Sequence, residues 1–197
     1  MRGRDVKRYN YEFANLWLIV SHNGVKQAGI PRIEIENYPA IKAHLDQYYE
    51  QLEKRSDKGD TPYNLRNCVY MDDFSKQKIV YREISNAMDA CLVEPNIMLN
   101  NKCYLITGEH LAYLLSFFNS KLFTKIILPQ VNTTGGKGEQ FLQAISAVLP
   151  SPTVEEELEK LLRLRNEINT SEIDNTVDKI FCDIYNLSLE EQEYIMN

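Results

Sequence analysis

Hydrophobic and polar positions in the first third of the chain predict two strands and one helix. A nearly continuous apolar run at 13–20 is typical of a buried strand, and the alternation at 32–36 is typical of a half-exposed one. A helix is predicted over 38–54, because apolar residues recur every three or four positions and Pro39 suits a first helical turn. The polar stretch 56–60 ends this helix.

Strand patterns fill the middle of the chain and give way to helical ones. Segments rich in β-branched and aromatic residues are the strand candidates 68–71, 78–84, 96–99 and 102–106. Leucine and phenylalanine at helical spacing predict one or two helices over 109–122. A polar, glycine-rich loop at 129–138 interrupts this pattern, and apolar residues at 141–149 return the chain to the core.

The last quarter of the chain is predicted to be helical. Thr153 and Ser188 each stand three residues before a glutamate, the capping-box pattern in which hydroxyl and carboxylate satisfy each other's backbone donors. These boxes begin helices at 153–169 and from 188, and an amphipathic helix at 172–185 lies between them. The patterns together predict an α+β fold: a mixed, mostly antiparallel sheet with packed helices, followed by C-terminal helices.

Charge separates a body at 1–150 from the helical segment at 151–197. The chain has 197 residues, 44% of them apolar, and a net charge of −6, which argues against nucleic acid if taken alone. Residues 151–197 carry 12 acidic and 4 basic side chains, a net charge of −8. Residues 1–150 carry 16 acidic and 18 basic side chains, a net charge of +2, so the body remains compatible with DNA.

The sequence predicts a cytoplasmic protein without a membrane span. Its longest apolar runs fall well short of the roughly 20 residues that cross a bilayer, and the first residues lack the apolar core of a secretory signal. Four cysteines without a C-x-x-C pair are expected to be reduced, buried thiols: Cys68, Cys91, Cys103 and Cys182.

Motifs for catalysis, metals and cofactors are missing from the sequence. The three histidines are far apart, and neither a Walker loop nor a nucleophile elbow occurs, so no catalytic residue, metal site or cofactor is expected in this chain. Asp5 and Lys7 have a spacing found in metal-dependent nucleases, but no acidic residue precedes them, so we do not expect cleavage by this chain. The glycine-rich stretch 135–138 fits either a phosphate or DNA contact or an ordinary surface loop.

Basic and polar side chains in the predicted loops are better suited to DNA binding than to catalysis. Arginine and lysine neutralise phosphates or contact guanine edges, and asparagine pairs with adenine in the major groove. The candidate DNA-binding residues are Arg4, Lys7, Arg8, Arg55, Lys58, Arg66, Asn132, Thr133, Thr134 and Lys137. Taken singly, each residue of this kind is more often an ordinary solvated side chain than a DNA contact.

The order of several short segments resembles the TaqI-like C-terminal specificity domain of restriction-modification enzymes. The matching segments are 2–9 (RGRDVKRY), 38–55, 57–59 (DKG) with 63–66 (YNLR), 78–81 (KIVY), 100–104 (NNKCY), 114–122 and 135–138 (GGKG). In addition, 177–191 is similar to the helical end of bifunctional type II enzymes. Each segment alone is weak evidence of a relationship, but their occurrence together in this order is specific for the family.

The resemblance implies a DNA target-recognition domain at 1–150 and a helical spacer or packing segment at 151–197. In bacterial type II (type IIG-like) members, such a domain follows an adenine-specific methyltransferase domain that uses S-adenosylmethionine and extrudes its target base. The Asn-Pro-Pro-Tyr-type motif of that domain does not occur in this chain. The implied partners are therefore double-stranded DNA and an upstream methyltransferase domain. Any methylation or cleavage belongs to that part, and the loop at 132–137 is the first candidate for base contact.

Two other functions fit parts of the sequence. A protein-interaction module, docking a partner through its acidic helices without DNA contact, explains the C-terminal segment. There the helices would pack back on the body or form a spacer or dimer contact. A complete small enzyme is disfavoured because no catalytic constellation occurs.

Overall fold

The structure is a computed structural model in which the chain forms two compact units. One unit comprises residues 1–15 and 73–197, and the other comprises residues 16–72. The residues that the structure describes are 1–26, 29–82, 88–130, 150–165 and 170–197.

The larger unit contains two small antiparallel sheets. Strands β1 (Val6–Lys7) and β2 (Asn10–Tyr11) form a hairpin. Strands β3 (Lys78–Arg82), β4 (Ala90–Val93) and β5 (Cys103–Ile106) form a sheet with the order β4-β3-β5. Because successive side chains of a strand point to opposite faces, Ile79 joins the main core while its neighbour Val80 joins a second cluster with Val6.

Helices cover the larger core cluster. They are α3 (Leu111–Phe118), α4 (Pro152–Arg165), α5 (Thr170–Ile184) and α6 (Leu189–Met196), with a π-helical turn at Phe123–Ile127 after α3. Phe117 of α3 lies against Phe181 of α5, with their ring centroids 5.3 Å apart. Leu158 of α4 and Ile195 of α6 are also buried in this cluster. The C-terminal helices therefore pack back on the body, one of the arrangements that the sequence left open.

Polar contacts link distant segments of the smaller unit. It contains helices α1 (Pro39–Asp46) and α2 (Tyr49–Lys54). The Ser21 hydroxyl donates to the Tyr63 carbonyl at 2.6 Å, and the Asn64 amide donates to the Ile33 carbonyl at 2.9 Å. Among its described residues, Ser21, Ile35 and Asn64 are buried.

The structure confirms the α+β class and most of the predicted helices. The predicted strands at 78–84 and 102–106 correspond to β3 and β5, within the described residues. The Ser188 capping box is present, with the Glu191 carboxylate accepting from the Ser188 amide at 2.8 Å. Throughout the described part of the chain, no helix is both long and apolar enough to cross a bilayer.

Four strand predictions were wrong: those at 13–20, 68–71 and 96–99, and the one at 32–36. Residues 13–20 form no strand and are largely exposed, with Trp17 exposed at 87%. An apolar run alone does not make a strand, because a strand also needs a neighbouring strand with which to pair. Residues 68–71 also form no strand. At 96–99 the chain turns instead, because Asn96 takes a left-handed φ of 66° and donates to the Phe74 carbonyl. The apolar strand β4 was missed.

The structure corrects the fourth strand and three further expectations. Residues 32–36 are not a strand but lead into a 3-10 turn, Ile35–Asn37, closed by the Tyr38 amide. The predicted helix at 38–54 is interrupted between α1 and α2. Ser151, not Thr153, caps α4, since its hydroxyl accepts from the Val154 amide at 3.3 Å. Two of the four free cysteines, Cys68 and Cys103, are only half-buried.

Candidate nucleic-acid interface

The N-terminal segment presents Arg4 on a tightly fixed turn. Residues Gly3–Asp5 form a 3-10 turn in which the Asp5 carboxylate is buried against the Arg2 guanidinium at 2.8 Å. The hydrogen bond from Arg2 holds the pKa of Asp5 below its ordinary value, against the opposing effect of burial. Within the described ranges, no ion pair or hydrogen bond engages the exposed Arg4 side chain. Asp5 therefore pairs with Arg2 and not with Arg4, and Arg4 remains available to bind a ligand.

Close packing at Gly3 places the Lys102 backbone against the turn that carries Arg4. A Cβ at Gly3 would lie 2.9 Å from the Lys102 carbonyl oxygen, so only glycine allows this approach. The neighbouring Asn100 amide donates to the Met1 carbonyl at 3.0 Å, which joins the same two segments. Lys102 is exposed. Our site prediction missed it, although both Gly3 and Lys102 lie in segments that carry the family resemblance.

Lys7 is the second exposed cation of the N-terminal segment. It lies on β1, where its ammonium is 3.6 Å from the Glu12 carboxylate. Both side chains are largely exposed, at 48% and 73%, and an ion pair of this kind contributes about 0–1 kcal/mol. Lys7 therefore remains available for an anionic ligand.

Arg8, in contrast, is engaged by the protein itself. Its guanidinium forms an ion pair with Asp174 of α5 and donates to the Asn119 carbonyl at 2.8 Å. It also lies over the Tyr9 ring, 4.9 Å from the centroid. A DNA contact by Arg8 would have to share or break these interactions.

The smaller unit brings its three candidate residues onto one loop. Arg55 donates to the Asn64 carbonyl at 2.8 Å and lies 3.7 Å from Asp57, so it clamps the loop closed. A bridge between Lys58 and Leu65 sets Lys58 opposite the residue before Arg66. The Lys58 ammonium bonds the Glu53 carbonyl.

Arg66 is exposed, and no described residue bonds its side chain. The loop thus presents Lys58 and Arg66 and uses Arg55 internally. Asn132, Thr133, Thr134 and Lys137 lie outside the described residues.

Three features of the described residues bear on metal binding and on side-chain reactivity. No group of histidine, cysteine, aspartate and glutamate in them is placed to hold a metal ion. His110 lies 2.6 Å from the Glu155 carboxylate, a pair that joins the start of α3 to α4. Burial raises the pKa of the Cys91 thiol to about 12, so this cysteine is not an activated nucleophile.

Comparison with known proteins gives one family. No curated protein matched the sequence. The family model of the TaqI-like C-terminal specificity domain matches residues 1–146, which include both groups of exposed cations. This match covers 146 of 197 residues, so the chain belongs to the TaqI-like C-terminal specificity domain family, whose role is DNA sequence specificity in restriction-modification enzymes.

Proposed function

We propose that this chain is the target-recognition part of a bacterial type II restriction-modification enzyme, which directs adenine methylation by a separate catalytic domain. The observation that carries the proposal is the exposed Arg4, which has no described partner and stands on a turn whose Gly3 packs against the Lys102 backbone. An exposed cation on a tightly packed turn suits DNA, because phosphate contacts fix a protein's register on the duplex.

In this proposal the chain binds DNA and positions it, and the upstream methyltransferase domain carries out the catalysis. S-adenosylmethionine, methyl transfer and any cleavage are assigned to the upstream methyltransferase domain. In this scheme residues 1–150 contact the target sequence, and the helices at 151–197 stabilise that body through Phe181 and Leu158.

The proposed contacts fall into two classes. Arg4, Lys7 and Lys102 bind phosphates from the larger unit, and Lys58 and Arg66 do so from the smaller one. Asn132, Thr133, Thr134 and Lys137 are proposed to contact base edges, because asparagine and lysine match the donors and acceptors of the major groove. Arg8 and Arg55 support these surfaces from within.

A second candidate function is protein docking through the C-terminal helices. It is favoured by α6, which exposes Leu189 at 86% and Tyr194 at 66% next to Glu190 and Glu193. An acidic face with apolar side chains suits a basic, amphipathic protein surface and repels phosphate.

Salt-dependent binding to duplex DNA distinguishes the two functions. We expect the full chain to bind a duplex with an affinity that falls steeply with salt, since phosphate neutralisation releases counterions. Replacing Arg4, Lys7 or Lys102 by alanine should weaken binding and lower the salt slope by about 0.9 per phosphate contact.

Lys160→Ala is the matched control, because Lys160 is an exposed lysine on the acidic α4. It should leave DNA affinity unchanged. Equal losses in Lys160→Ala and Lys7→Ala would show nonspecific attraction. Absence of DNA binding by the folded chain at low salt would favour the docking function.

A further inference from the structure

Asp174 of α5 links two arginines from distant parts of the chain. It pairs with Arg8 of the N-terminal segment, and its other carboxylate oxygen accepts from the Arg165 Nε at 2.8 Å. Asp174 and Arg165 are largely buried, at 16% and 15% exposure. Burial alone would raise the pKa of Asp174, but the hydrogen bonds from Arg165 and Arg8 outweigh it and lower that pKa. The carboxylate is therefore ionised and holds both guanidinium groups.

The same two arginines enclose Tyr9. The Arg165 guanidinium carbon lies 4.2 Å from the ring centroid, and that of Arg8 lies 4.9 Å away. Tyr9 is buried and takes a left-handed φ of 64°, an unfavourable conformation for a residue other than glycine or asparagine. Its amide donates to the Ala90 carbonyl at 2.8 Å. The turn between Lys7 and Asn10 is thus held in place by contacts from α4, α5 and β4.

Asn119 completes the attachment from the end of α3. Its backbone carbonyl accepts from Arg8, and its buried side chain bonds both the amide and the carbonyl of Ala90, at 3.1 and 2.9 Å. The C-terminal helices, α3 and β4 therefore all converge on the two residues that follow Lys7. None of these groups is itself a free surface cation.

We propose that Asp174 is a positioning residue for DNA binding, which fixes Arg8 and thereby the orientation of the neighbouring Lys7 and Arg4. This inference rests on the proposed function, because Arg4 and Lys7 are its DNA-binding groups. It assigns the acidic C-terminal helices an indirect part in recognition, although phosphate repels their charge.

The direction in which DNA affinity changes distinguishes a positioning role of Asp174 from a purely electrostatic one. Removing an acidic charge near a DNA-binding surface normally strengthens binding, because phosphate repulsion decreases. A positioning role predicts the opposite: the Asp174→Asn variant releases Arg8 and Tyr9, and DNA binding weakens. It also predicts a smaller salt slope although no basic residue has been removed.

The experiment compares Asp174→Asn with Glu172→Gln, an exposed acid on the same helix with the same charge change. Duplex affinity is measured across salt concentrations at temperatures where circular dichroism shows each variant folded. We expect Asp174→Asn to bind roughly five- to tenfold more weakly, with the salt slope reduced by about 0.9 for each phosphate that the variant no longer neutralises. Glu172→Gln should bind as the parent does or slightly more tightly.

Arg165→Lys keeps the test decisive if Asp174→Asn does not fold. It preserves the net charge but removes the forked contact to Asp174, so weaker binding can come only from altered geometry. Asp174→Glu should recover part of the affinity, because it restores the carboxylate.

Two results would overturn the inference. One is binding by Asp174→Asn that is equal to, or tighter than, binding by Glu172→Gln. The other is unchanged affinity and salt slope in folded Arg165→Lys. If Arg4→Ala and Lys7→Ala also leave binding unchanged, the proposed DNA surface itself is wrong. If those two variants weaken binding while Asp174→Asn does not, the positioning role alone fails.

Discussion

Replacing Gly3 by alanine tests whether close packing builds the turn that carries Arg4, a proposed DNA-binding residue. The new methyl group would lie 2.9 Å from the Lys102 carbonyl oxygen and 3.3 Å from the Lys102 Cβ. Ordinary contacts begin at 3.4 Å, so the two segments must separate by about 0.5 Å. The carbonyl immediately precedes β5, which is paired with β3 through Arg82 and Cys103, so the obstacle is backbone and not a flexible side chain.

The expected cost of this overpacking is about 1–3 kcal/mol of unfolding free energy. For a chain of this size, each kcal/mol corresponds to a fall in Tm of roughly 2–4 °C. Thermal and urea denaturation of Gly3→Ala measure this loss. Duplex binding at a temperature where the variant is folded should also weaken several-fold, because the turn that carries Arg4 is displaced from the Lys102 backbone.

Arg4→Ala is the matched comparison for Gly3→Ala. It removes a proposed DNA-binding group with no described partner in the protein, so it should weaken binding while changing stability by less than about 0.5 kcal/mol. The reasoning is refuted if Gly3→Ala is as stable as the parent chain and binds DNA equally well.

Three further substitutions test the core and its buried polar groups. Phe181→Ala should lower the free energy of unfolding by about 3–5 kcal/mol, because the buried ring lies against Phe117. The body and the C-terminal helices should still unfold in one calorimetric transition, and two separate transitions would contradict a shared core. Asn119→Ala should lower the free energy of unfolding, measured by urea denaturation, by about 1–3 kcal/mol, because the buried Ala90 amide loses its acceptor while the Ala90 carbonyl keeps its bond from the Tyr9 amide. A change below about 0.5 kcal/mol, the range of surface substitutions, would show that Asn119 does not hold β4 in place. Burial raises the pKa of Asp178 in the folded chain above its ordinary value of 3.8. The free energy of unfolding should therefore increase as the pH falls from the folded-state pKa towards 3.8, because the folded chain binds the proton more tightly. Asp178→Asn should remove this increase, and a pH profile that is unchanged in the variant would show that Asp178 is not its source.

Much of the fold was predictable because several segments carry their structural information locally. The Ser188 capping box needs only residues three apart, and β3 has a hydrophobic pattern that agrees with its position at the centre of the sheet. The run at 13–20 has an equally strong apolar pattern, yet it forms no strand. Pairing is a nonlocal property, so hydrophobicity along the sequence did not determine it.

The candidate site was predictable in residue type but only partly in role. Arg4, Lys7 and Arg8 stand close together in sequence, and nothing in their spacing distinguishes the exposed Arg4 from the engaged Arg8. Arg8 is set apart by Asp174, 166 positions away. Lys102 likewise becomes a candidate only through its contact with Gly3, 99 positions earlier in the chain. These roles depend on tertiary contacts that no local pattern contains.

Selection of DNA from a random-sequence duplex pool by the full chain, followed by sequencing, tests the central claim most directly. We predict enrichment of one motif, with lower affinity but the same motif in Arg4→Ala and Lys7→Ala, because phosphate contacts position the protein without reading bases. The motif should disappear or relax when Asn132 and Lys137 are replaced by alanine. Retained DNA with no enriched sequence, from a folded chain that binds at low salt, would contradict sequence recognition by this chain.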